Sequence, residues 1–113
     1  MKVLVTGSSG MIGSTLIKTL GDTFDFSGLD VRKSEHAPDV PTLITDGSNF
    51  NSMSSAFEGI NAVIHLAADP AVETPWPDVM KNNISTTHNV YEASRANGVK
   101  RVVFTSSNHA VGN

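Results

Sequence analysis

Three glycines, Gly7, Gly10 and Gly13, stand three residues apart directly after the β-branched run Lys2–Thr6. Where a strand turns into a helix, that spacing makes a seat for an anion. Gly7 lets the chain turn sharply out of the strand. Gly10 removes a Cβ where a phosphate must approach the backbone, and Gly13 lets the helix pack close to the sheet. The N–H groups near Gly10, Met11 and Ile12 then face the anion, with the helix dipole behind them. Asp30 follows Gly13 by 17 residues, at the end of the next apolar run. A carboxylate there can accept hydrogen bonds from both hydroxyls of an adenosine ribose, and it repels a 2′-phosphate. That favours NAD over NADP. Arg32 and Lys33 lie just beyond it, and a cation there could receive that phosphate. On these residues alone two readings stay open: a dinucleotide site, or a tight turn with incidental glycines and a solvated acid. The order strand, glycine turn, helix, acid is what the first reading requires.

The elements that would position these residues alternate along the chain. Lys2–Thr6 reads as a strand buried on both faces. Met11–Leu20 places Ile12, Leu16 and Leu20 along one helix face, with Gly21 as its stop. Phe24–Val31 is a second strand, and the polar stretch Arg32–Pro41 with its two prolines is a loop. Thr42–Asp46 is a third strand. Ser48–Gly59 can hold a helix whose apolar residues are Met53, Ala56 and Phe57. Asn61–Ala68 is a fourth strand. The proline-rich piece Asp69–Asp78 cannot keep regular hydrogen bonds. Asp78 can cap a long helix from about Val79 to Asn97, with Val79, Asn83, Ile84, Val90 and Ala93 inward and Gly98 at its end. Val99–Ser106 is a fifth strand. Strands and helices in this order imply an α/β fold: a parallel sheet of about five strands with right-handed crossovers.

Composition narrows the function classes. The 113 residues fit one domain, and 39% hydrophobic with 17% charged residues is ordinary globular usage. A formal net charge of −3, with lysines and arginines scattered, argues against a nucleic-acid partner. There is no cysteine, which removes disulfides, thiolate metal sites and a thiol nucleophile; no metal site is expected. No apolar stretch approaches the ~20 residues of a membrane span, and the first residues do not read as a signal peptide. A soluble cytoplasmic protein without a membrane partner is the expectation. His65, inside the fourth strand, reads as a satisfied core histidine, and Asp69 and Glu73 as solvated acids.

Taken together, Thr6-Gly7-x-x-Gly10-x-x-Gly13, the acid Asp30, the run His65-Leu66-Ala67-Ala68 and the closing Ser-Ser-x-x-x-x-Gly pattern (Ser106 to Gly112) resemble the extended short-chain dehydrogenase/reductases, the NAD-dependent epimerase/dehydratase family. The likeness covers the whole chain, and it implies a Rossmann-type doubly wound parallel sheet ordered 3-2-1-4-5. Within the family, the segment Asn97–Gly112 is similar to uronate dehydrogenases, which oxidise the anomeric carbon of a hexuronate. The resemblance implies further roles. Asp46 and Gly47 match positions that meet the adenine. Leu66, Ala67 and Ala68 match the strand-four end that lies along the cofactor, and Asn83 the helix asparagine that steadies its nicotinamide side. Ser107 matches the hydroxyl that hydrogen-bonds the reacting substrate oxygen, and Asn108 and His109 match substrate contacts. Asn61 and Thr86 depart from commoner family residues without touching the cofactor.

The resemblance also implies a Tyr-x-x-x-Lys pair on a helix after strand five. The one tyrosine, Tyr91, comes before that strand and is followed four residues on by Arg95. It reads instead as an amphipathic helix residue in a core or subunit contact. Residues 1–113 are therefore expected to be an incomplete NAD(P)-binding domain: the cofactor portion of a sugar dehydrogenase or nucleotide-sugar epimerase relative, truncated before the substrate-binding part. A sugar or sugar acid is the partner implied once it is completed. Two other readings share the fold: a non-catalytic NAD-binding module, and a fragment that self-associates. A homo-oligomer could form through the long helix or through the open apolar edge of strand five.

Overall fold

A computed structural model describes residues 1–31, 40–45, 49–66 and 84–104, the side chain of Met11 excepted. These form β1 (Lys2–Thr6), α1 (Met11–Leu20), β2 (Asp25–Asp30), β3 (Thr42–Ile44), α2 (Phe50–Met53) with a 3₁₀ turn (Ser54–Phe57), β4 (Ala62–His65), α3 (Thr86–Ala96) and β5 (Arg101–Phe104). The five strands make one sheet, ordered β3-β2-β1-β4-β5, and every pairing is parallel. The expected fold class and strand order are the observed ones.

The sheet is apolar on both faces because β1 is. Val3 and Val5 join Ile17 of α1 and Phe26 of β2 on one side. Leu4 points the other way, into a larger cluster with Leu29, Met53, Phe57, Ile60, Val63, Val90 and Ala93. Met53 and Phe57 are fully buried, and each such side chain contributes roughly 1.5–3 kcal/mol by leaving water. The helix expected within Ser48–Gly59 is one α-turn running into the 3₁₀ turn. The Asn49 side chain caps it by accepting the Ser52 N–H at 3.3 Å.

Two expectations about helix faces need correction. Ile12 was expected to lie inward with Leu16 and Leu20, yet it is 67% exposed. The buried face centres on Ile17, flanked by Leu16 and Leu20. At 3.6 residues per turn, Ile12 lies about 140° around the helix from Ile17, so the first turn of α1 looks out along the strand ends. In α3, Val90 and Ala93 are buried as expected, but Ile84, two residues before its start, is 52% exposed. Val79, Asp78 and Asn83 lie outside the described residues. Tyr91 is half-exposed on the solvent side of α3, where Arg95 pairs with Glu92 at 2.9 Å.

Both helix ends that carry a glycine stop as expected, by different means. Gly98 takes φ +71°, the left-handed region a glycine adopts without strain. Gly21 stays right-handed at φ −61°, and a Cβ on it would lie 2.8 Å from the Ile17 carbonyl oxygen. At the sheet margins, Ile44 of β3 and Val103 and Phe104 of β5 are each half-exposed or more. Among the described residues no helix is long and apolar enough to cross a membrane.

The closest backbone approach inside the sheet layer is at Gly28. A Cβ there would collide with Ser8 Oγ, sit 2.9 Å from Ser8 Cβ and 3.0 Å from Thr42 Oγ1. The Ser8 hydroxyl is buried and has no hydrogen-bond partner among the described residues. G28A is expected to lower stability by about 1–3 kcal/mol through overpacking. S8G in the same background should restore part of that loss, and S8A alone should be neutral or stabilising because it removes an orphan hydroxyl. Urea unfolding of the four proteins checks both signs.

Candidate dinucleotide-binding site

The turn from β1 into α1 is shaped by short contacts. Gly7 adopts φ +73°, and its N–H donates to the Leu29 carbonyl at 2.8 Å. The Gly10 N–H donates back to the Gly7 carbonyl at 3.2 Å, and the Ser14 N–H to the Gly10 carbonyl at 2.9 Å. Gly13 lies directly on the turn: a Cβ there would sit 2.7 Å from Gly7 O and 2.9 Å from Ser8 Cα. Among the described residues other than its chain neighbours, an added Cβ at Gly10 would meet only Gly7 O, at 3.4 Å. The space beside Gly13 is therefore closed, and that beside Gly10 is looser.

The Gly10 amide is engaged within the turn, and the head of α1 carries no side-chain cap. Gly10 is the N-cap and offers no side chain to cap the helix, and the first turn holds no acidic residue. An anion can supply what the missing cap does not.

Asp30 closes the other side. Its Oδ2 accepts the Ser9 N–H at 2.8 Å, and its Oδ1 accepts its neighbour Val31's N–H at 2.6 Å. The carboxylate is therefore a tie between the end of β2 and the glycine turn. Each carboxylate oxygen has a second lone pair, so the tie leaves acceptor capacity for ribose hydroxyls. Asp30 ends the second strand, as the sequence predicts; its tie to Ser9 was not anticipated, because the partner is a backbone amide brought close only by strand pairing.

Across β1 from Asp30, the Leu66 N–H donates to both the Thr6 carbonyl (3.0 Å) and Thr6 Oγ1 (3.1 Å). The preceding residue, His65, is 2% exposed. Its Nδ1 shares a hydrogen bond with Thr6 Oγ1 at 2.6 Å and its Nε2 one with Thr87 Oγ1 at 2.9 Å. The satisfied core histidine read from the sequence is what the structure holds; its two threonine partners were not anticipated. Gly7, Gly10, Met11, Ile12, Gly13 and Asp30 thus gather at the carboxyl ends of β1 and β2, and Leu66 at that of β4. Arg32, Asp46, Gly47, Ala67, Ala68, Asn83, Ser107, Asn108 and His109 lie outside the described residues.

A cradle at the carboxyl ends of parallel strands, where the strand order reverses, is where open α/β sheets take nucleotides. The family model for the NAD-dependent epimerase/dehydratase family matches residues 3–113. The chain belongs to that family. Among curated relatives of this family member, an NAD-dependent glucose-6-phosphate dehydrogenase of Haloferax volcanii is 38% identical over 116 aligned positions, 97% of this chain and 44% of that protein. A uronate dehydrogenase of Pseudomonas syringae pv. tomato is 32% identical over 98% of this chain and 41% of its own. A mutant uronate dehydrogenase from Agrobacterium tumefaciens, solved complexed with NAD, superposes with a TM-score of 0.85 at 31% identity, covering 96% of this chain and 41% of that one. The chain thus spans about two fifths of the length of these proteins.

Burial pushes the His65 imidazole down to about 4. In the unfolded chain a histidine protonates near ~6.5. Above that value His65 adds no pH-dependent cost to folding. As pH falls through the window, the unfolded state gains a proton that the folded state refuses, and stability drops by about 1.4 kcal/mol per pH unit until the folded group titrates. Urea unfolding at several pH values from 7 to 4.5 should show this slope, and H65Q should remove the imidazole's share of it.

Proposed function

We propose that this chain holds NAD, with the diphosphate on the amides that open α1 and the adenosine ribose against Asp30, as the cofactor portion of a dehydrogenase for an anionic sugar of the hexuronate type. The observation that carries the reading is the Asp30 carboxylate. It is fastened to the Ser9 amide, at the lip of an uncapped helix N-terminus, and still has lone pairs to offer. A negative group at that place favours a free 2′-hydroxyl, hence NAD over NADP.

Residues 1–113 form an incomplete dinucleotide-binding domain in this reading. When bound, NAD accepts the hydride that leaves the substrate's carbinol carbon. The chain's own residues hold and shield it. Asp46 and Gly47 border the adenine, Arg32 flanks the ribose end, Leu66, Ala67 and Ala68 leave room along β4, and Asn83 steadies the nicotinamide side. Ser107 donates to the reacting oxygen of the sugar, while Asn108 and His109 contact its polar groups. The Ser-Ser-Asn-His run, and relatives named for a uronate and for a sugar phosphate, support an anionic sugar. Turnover needs an acid–base pair of the Tyr-x-x-x-Lys kind. Here Tyr91 is followed by Arg95, which is engaged with Glu92 on the solvent side of α3.

Calorimetric titration of the folded chain should show one NAD site and weaker NADP binding. D30A should weaken NAD binding by about tenfold or more and narrow the gap between the two dinucleotides. Mixing the chain with a hexuronate and NAD should give no NADH. Well-folded protein that ignores NAD at millimolar concentration overturns the proposal.

A further inference from the structure

The buried group that the proposed cofactor contacts leave unused is His65. Three backbones meet at its ring. Thr6 is the last residue of β1 and leads directly into the Gly7 turn. His65 is the last residue of β4, paired in register with Thr6. Thr87 sits in the first turn of α3. Thr6 Oγ1 touches both the imidazole and the next amide of β4, that of Leu66. The ring of Phe104, from β5, covers the imidazole at 5.6 Å between centroids. Thr6 is fully buried and His65 nearly so. A leucine or phenylalanine would fill this volume without the cost of desolvating an imidazole, so the polar choice calls for a reason beyond packing.

The dinucleotide reading supplies one. Its adenosine half lies over β2, because Asp30 is there, and its diphosphate lies over β1. In a sheet ordered β3-β2-β1-β4-β5, the second nucleoside must then cross β1 and run over β4. The exit of β4 and the first turn of α3 form the wall it meets. We propose that His65 is a positioning residue for the nicotinamide half of the dinucleotide, tying the end of β1 through Thr6 to the first turn of α3 through Thr87 and so setting the spacing of that wall. It acts through its neighbours and touches no ligand. This inference rests on the dinucleotide reading of the site.

The test uses the whole chain, two probes and two variants. T87V keeps the shape of the side chain and removes its hydroxyl; T87S keeps the hydroxyl. NAD spans both halves of the site, whereas ADP occupies only the half over β1 and β2. T87V is expected to weaken NAD binding about five- to tenfold, to leave ADP binding within about twofold, and T87S to bind NAD as the parent does. In the unaltered chain, NAD should move the ¹⁵N resonances of the His65 ring and ADP should not, a readout that needs no variant to fold. T87V binding NAD like the parent, or losing NAD and ADP equally, overturns the positioning role, as do ring resonances that ignore NAD while NAD binds. A parent chain that binds ADP and NAD with the expected preferences while these responses are missing leaves the dinucleotide reading standing and removes only this one. A parent chain that binds neither probe removes both.

Discussion

The glycine turn owes its shape to β2 more than to its own helix. The Gly7 N–H reaches the Leu29 carbonyl and the Ser9 N–H reaches the Asp30 carboxylate, so two successive residues of β2 hold the turn from outside. Backbone amides in a turn are free to aim in many directions until something accepts them, and a buried one without a partner is costly. Here the neighbouring strand accepts two of them. A third, that of Gly10, closes the turn on the Gly7 carbonyl. Asp30 in this arrangement is structural before it is functional: the group that would grip a ribose is the one that keeps the turn in place.

Close packing enforces the same geometry. Gly13 rests against Gly7 and Ser8, and Gly28 against Ser8, at distances that leave no room for a methyl group. The turn is thus wedged between α1 and β2. Both apolar clusters lie behind it, one on each sheet face, and they share β1 as a common wall. A sheet buried on both faces gives the turn a base that cannot tilt without opening a core.

Much of this was legible in the sequence where local chemistry decides. β1 and α1 have the expected ends, because a β-branched run meets a glycine and a helical run ends at one. The parallel sheet followed from the alternation of elements, and its strand order from the family resemblance. The misjudged side chains, Ile12 and Ile84, are apolar residues whose periodicity suits burial but whose helix turns face the strand ends or solvent. Their exposure is set by what lies opposite, which a single sequence does not display. The threonine partners of His65 were hidden for a related reason. Thr6 and His65 are 59 residues apart, and Thr87 is 22 residues from His65. Only the pairing of β1 with β4 and the docking of α3 bring them together. Asp30 was found because its neighbours in sequence announce it, whereas the Ser9 amide, being backbone, carries no signature at all.

The central place of β1 has a bearing on how the protein is made. It precedes the other four strands of the sheet in the chain and is apolar on both sides, yet one of its two partners is encoded 59 residues later. At ribosomal rates of roughly 5–20 residues per second, that separation corresponds to roughly 3–12 seconds during which a Val-Leu-Val segment has a bare flank. Parallel pairing cannot shorten the interval, because a crossover must be built first. During those seconds the nascent chain is exposed to other emerging chains and to chaperones, so yield in the cell is governed by the pace of translation as well as by the stability of the finished sheet.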